Sequence, residues 1–139
     1  MCIFVAGLLS ACATCPPVDS HFERISRISD YMVPLGKAVD VVVDDLALDA
    51  KDDKVFAAVV SRSGDPQQLK PFDGYMLKAR IVELTGYRAG VVLLCTGDGK
   101  EGVIEDVTCT TRPDTFRPTA SPCEYLLDVR KVCEGTIAY

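Results

Sequence analysis

From residue 75 onward the apolar residues of this chain alternate or run together; before it they recur every three to four positions. In the window 75–84, Leu77, Ala79 and Ile81 fall on one face of an extended chain and Lys78 and Arg80 on the other, which predicts a half-buried strand. Over 90–95 the run Val91-Val92-Leu93-Leu94 is unbroken, short enough for a strand covered on both faces. Gly97-Asp98-Gly99 tolerate positive φ and predict a tight hairpin turn, after which 102–107 returns as a third strand. A last strand is predicted over 124–132, with Leu126, Leu127, Val129 and Val132 available for burial. Between them, 112–123 carries Pro113, Pro118 and Pro122 and reads as a loop.

Ahead of the sheet the period is helical. Ser20-His21-Phe22-Glu23 fits a capping box, in which serine hydroxyl and glutamate carboxylate each satisfy a free N–H of the first turn. Phe22, Ile25, Ile28 and Met32 follow on one face, and Pro34 is expected to stop the helix. Val39, Val42, Val43 and Leu46 predict a second helix, with a strand through Val39, Val41 and Val43 as the alternative that β-branching allows. Val55, Phe56, Val59 and Val60 make a third stripe closed by Gly64, and Asp65-Pro66 opens a single turn ending near Leu69. Helices first and strands afterwards predict an α+β domain, with N-terminal helices on one face of a small antiparallel sheet.

Residues 1–11 are almost wholly apolar and lead into Leu9-Ser10-Ala11-Cys12. This tetrapeptide resembles the lipobox of bacterial lipoproteins, although no basic residue stands ahead of the run. The resemblance concerns a sorting class and not a fold. It implies cleavage before Cys12, lipidation of Cys12, and a periplasm-facing protein held in the outer membrane by its lipid. Ala13 is compatible with outer-membrane sorting, because the aspartate associated with inner-membrane retention is absent. Residues 12–19, with Pro16-Pro17, then read as a tether, and 20–139 as a single domain.

Composition adds limits. The chain of 139 residues is 48% apolar and 25% charged, long enough for one domain with its own core and too apolar for disorder. Its net charge of −5, with scattered cations, disfavours a nucleic-acid surface. Of seven cysteines, Cys2 would leave with the leader and Cys12 would carry lipid. Cys95 and Cys109 bracket the hairpin, and Cys123 and Cys133 lie close together. Local spacing therefore favours Cys95–Cys109 and Cys123–Cys133, one of the three connectivities that four cysteines allow, with Cys15 left over. Cys12-x-x-Cys15 has zinc-ligand spacing but no second close pair, so neither metal nor cofactor is expected.

No catalytic constellation stands out. His21 is the one histidine and has no nucleophile elbow to serve. Glu105 and Asp106 are adjacent on a strand and must face opposite ways. Gly97-Asp98-Gly99 lacks the Gly-Lys-Ser/Thr ending of a phosphate loop. The acidic run is more suggestive: Asp40 and Asp44 share a helix face, as do Asp45 and Asp49, and these four are the candidate partner-binding residues beside the plainer reading of a solvated face. The expectation is a non-catalytic envelope lipoprotein with a binding or structural role. The alternative is an immunity or inhibitor protein that neutralises a basic toxin or hydrolase.

Overall fold

A single long helix, α1, spans Ser20–Val42 and runs straight through Pro34. The computed structural model describes residues 20–110, 115–116 and 121–135. The two N-terminal helices expected from the sequence are thus one. A proline here forfeits the bond to the carbonyl of Asp30 and costs about 3 kcal/mol in a helix interior. Pro34 and Asp30 are both exposed, so water can serve that carbonyl. On the opposite side Ile25, Ile28, Met32, Leu35, Val39 and Val42 are all buried at alternating three- and four-residue spacing. Leu35 continues the stripe across the proline, and burying six such side chains at about 1.5–3 kcal/mol each outweighs the break. Val41 is exposed, which rules out the strand alternative.

The chain leaves α1 through a 3-10 turn, Val43–Asp45, and becomes extended at Leu46. Helix α2, Asp52–Ser63, buries Val55, Phe56 and Val59 and ends at Gly64, whose φ of 70° is the left-handed cap the sequence called for. The Asp65 carboxylate accepts from the Gln67 N–H and starts a 3-10 helix, Pro66–Phe72, longer than the single turn expected because Phe72 is also drawn into the core.

Four antiparallel strands follow in the order β1-β2-β3-β4: Tyr75–Glu83, Arg88–Thr96, Gly102–Val107 and the short Thr115–Phe116. The last lies in the proline-rich stretch read as loop and pairs with β3. In register, Leu77 opposes Leu94 and Ala79 opposes Val92. These side chains face α1 and α2 and form the main core with the helix stripes. The β2–β3 turn is held by Asp98, whose carboxylate accepts from Thr96 Oγ1 at 2.6 Å and from the Lys100 N–H at 3.1 Å. Those two bonds, in that order, hold its pKa below the usual carboxylate value. At Gly90 the helix and sheet meet so closely that a Cβ would lie 2.5 Å from Val39 Cγ1.

The other sheet face is also covered. Val91, Ala89, Leu84 and Val107 form a second core with Val129, flanked by Tyr125 and Leu127. This is why Leu93, between the two layers, is wholly buried. The covering segment is not the strand expected over 124–132. Tyr125, Leu127 and Val129 point inward at period two while Leu126 is 60% exposed, so the chain is extended. Its N–H groups do not join the ladder, however: those of Leu126 and Leu127 go to the two oxygens of Glu105 at 3.1 and 3.2 Å. It closes in a short helix, α3, Val129–Cys133, capped by Asp128.

The disulfides correct the local pairing favoured by spacing. Cys95 is joined to Cys123 and Cys109 to Cys133. Cys95 lies at the turn end of the hairpin, opposite Gly102, while Cys109 lies past the far end of β3, next to the residue whose N–H reaches Gly90. Five steps of extended chain run from Gly90 to Cys95, roughly 16 Å, beyond the roughly 7 Å limit for bridged Cα atoms. The covering segment runs the same length in the other direction, so each of its ends meets one of the hairpin cysteines. Cys12 and Cys15, the leader and the tether lie outside the described residues. Among the described residues no helix is long and apolar enough to cross a membrane.

Candidate functional site

The acidic run is dispersed by the fold. Asp40 and Asp44 do share a groove, of about 460 Å³, with Tyr87, Arg88, Thr108 and the Cys109–Cys133 link. Asp40 accepts a hydrogen bond from Thr108 Oγ1 at 3.0 Å, which fixes its carboxylate to the sheet. Asp45 turns to the α1–α2 side and lies 3.8 Å from Arg62. Asp49 is exposed in the loop before α2, because helical geometry ends at Asp45, so the Asp45–Asp49 face expected of a continuous helix does not form. Among the described residues no cluster of three or more His, Cys, Asp or Glu is placed to hold a metal ion. His21 lies in the first turn of α1, and its side chain is outside the described residues.

A different group of side chains converges where the sequence was read only as a polar strand face. Lys78 and Arg80 project from β1 toward the covering segment and, with Lys51, Asp52, Ala79 and Tyr125, line a cleft of about 370 Å³. Each element contributes for a local reason. β1 is an edge strand, and its free edge is closed by a backbone bridge between Lys51 and Arg80 and by the Asp52 carboxylate, which accepts from the Ala79 N–H at 2.7 Å. Asp52 takes a φ of 31° to do so, a left-handed conformation that aspartate tolerates better than most residues. This clasp brings the start of α2 beside Lys78 and Arg80.

The opposite wall is Tyr125. The Arg80 guanidinium lies 4.4 Å from its ring centroid and Lys78 Nζ 5.6 Å, both cation–π contacts. Lys78 Nζ also donates to the Cys123 carbonyl at 3.5 Å. Arg80 Nε and the Tyr125 hydroxyl are buried behind the cleft surface and have no hydrogen-bond partner among the described residues. Burial first, and then the charge of Asp52, pushes the Tyr125 pKa well above 10.0. Behind the ring Glu105, wholly buried, pins the segment through Leu126 and Leu127. Asp106 faces the other way, against Gly36 of α1, so the two carboxylates are parted by the pleat as expected.

Tyr125 carried no motif, and Lys78 and Arg80 looked like an ordinary solvated face. The one signal was a tyrosine inside a cysteine-bounded segment, which has to lie against something. Comparison of the chain with protein-family models, with curated proteins and with solved structures returns no match.

Proposed function

We propose that this chain is a non-catalytic binding domain of the bacterial envelope, anchored in the outer membrane by a lipid on Cys12 and facing the periplasm. The observation that carries this reading is the pair of disulfides at both ends of the covering segment, since such links persist in oxidising compartments and are rare where thiols are kept reduced. The Leu9-Ser10-Ala11-Cys12 sequence supports the same compartment and supplies the anchor. A covered sheet with a lined cleft suits a receptor or a structural partner more than a catalyst, and the cleft presents no base next to a nucleophile. Cell fractionation tests the proposal. The native chain should enter the detergent phase with the outer membrane, and Cys12→Ala should be released from it; an equally membrane-bound Cys12→Ala would refute the anchor.

A basic protein, such as a toxin or hydrolase, is the second reading. It is favoured by Asp44 and Asp49, which are exposed and have no ion-pair partner among the described residues. Asp44→Asn should then slow association with that partner and flatten its salt dependence, because rim charges act mainly on the on-rate.

A further inference from the structure

We infer that the cleft between β1, the start of α2 and Tyr125 binds the phosphate group of a small soluble phosphate monoester. In a chain whose net charge is −5, this cleft gathers Lys51, Lys78 and Arg80 against the single carboxylate of Asp52. Asp52 does not neutralise them: one of its oxygens is committed to the Ala79 N–H, and it forms no ion pair within the cleft. The Arg80 side chain has no hydrogen bond or ion pair among the described residues, and its Nε is buried. A half-buried guanidinium without a counter-ion is costly.

The geometry describes the missing acceptor. Stacking on Tyr125 occupies one face of the Arg80 guanidinium and leaves its two terminal nitrogens, which unlike Nε are not fully buried, for an oxyanion, the bidentate arrangement that carboxylates and phosphates share. Charge separates the two. The lining carries three cations and one carboxylate and stays net positive even with Glu105 buried behind the Tyr125 ring; a phosphate monoester, at about −1.5 to −2 near pH 7 and with three acceptor oxygens, satisfies three cations more fully than a carboxylate with two oxygens. The cleft's volume of about 370 Å³ also exceeds what a bare phosphate fills, leaving space for the esterified group. None of this depends on the lipid anchor, so the two proposals stand or fall separately.

Calorimetric titration of the full chain at fixed ionic strength tests the assignment, with inorganic phosphate, glycerol phosphate and acetate as probes. Glycerol phosphate should bind one to one, inorganic phosphate more weakly, and acetate at least about tenfold more weakly than glycerol phosphate. Arg80→Gln should weaken glycerol phosphate by about ten- to a hundredfold, the worth of one charge-assisted hydrogen bond. Lys51→Gln, at the exposed rim, and Lys78→Gln should weaken it less while leaving the fold intact; they carry the test should Arg80→Gln not fold. Absence of saturation with glycerol phosphate in the millimolar range, acetate binding as tightly, or variants that bind like the native chain would each overturn the proposal. So would binding seen only with phosphatidic-acid vesicles, which would make the site a membrane contact.

Discussion

Replacing Cys109 and Cys133 together by alanine removes one of two crossed links, and its cost can be worked from the connectivity. The bond spans 24 residues, and in the chain-entropy model closing such a loop is worth about 3.5 kcal/mol. The other link is still closed in this variant, and Cys109 sits midway round its 28-residue loop. That shortens the effective circuit and reduces the figure to about 3 kcal/mol. For a domain of this size one kcal/mol is worth about 4 °C, so Tm should fall by about 12 °C. Urea unfolding followed by circular dichroism should show a lower midpoint with a steeper dependence on denaturant, because the freed unfolded chain exposes more surface. The native circular dichroism spectrum should be nearly unchanged, since Glu105, Val129 and the Cys95–Cys123 link still hold the segment down. A Tm drop below about 3 °C would refute the reasoning, as it would mean the link constrains neither the unfolded chain nor the cover.

Further outcomes follow from single residues. Glu105→Gln keeps one acceptor for two N–H groups, so it should cost about 2–3 kcal/mol in urea unfolding and speed amide exchange at Leu126 or Leu127. Gly90→Ala drives a methyl into the stiff Val39 side chain and should destabilise by about 1–3 kcal/mol, with Val39→Ala restoring part of the loss in the double variant. In an alkaline absorbance titration Tyr125 should stay protonated well beyond the ordinary tyrosine pKa of 10.0, and Tyr125→Phe should remove that resistant fraction. The sign follows from its raised folded value: the stability it contributes is present below the ordinary tyrosine pKa of 10.0 and is lost as pH rises toward the folded one.

The elements whose pattern carried its own punctuation were readable in advance. β1, β2 and β3 lie where alternation, an unbroken apolar run and a glycine-rich turn put them, and α2 ends at its glycine. Pro34 misled because local propensity was weighed without the stripe that continues through Leu35 on the buried side. The covering segment misled in a subtler way. Its period of two correctly signals an extended chain, yet periodicity cannot say whether N–H groups meet a neighbouring strand or, as at Leu126 and Leu127, a buried carboxylate. The cysteine pairing inherited that error, since nearness in sequence is a poor guide once a hairpin holds its ends roughly 16 Å apart. The Lys78–Arg80–Tyr125 cleft was hidden for the same reason: until the segment is laid over the sheet, two basic residues on one strand face look solvated.

Mass spectrometry of the non-reduced chain, isolated from the membranes of cells that express it, tests the central claim of a disulfide-locked, lipid-anchored envelope domain. The mature chain should begin at Cys12 with an added lipid mass there, and the digest should hold the peptide of Cys95 joined to that of Cys123 and the peptide of Cys109 joined to that of Cys133. A chain recovered with an unprocessed leader and free thiols at these four cysteines would contradict it.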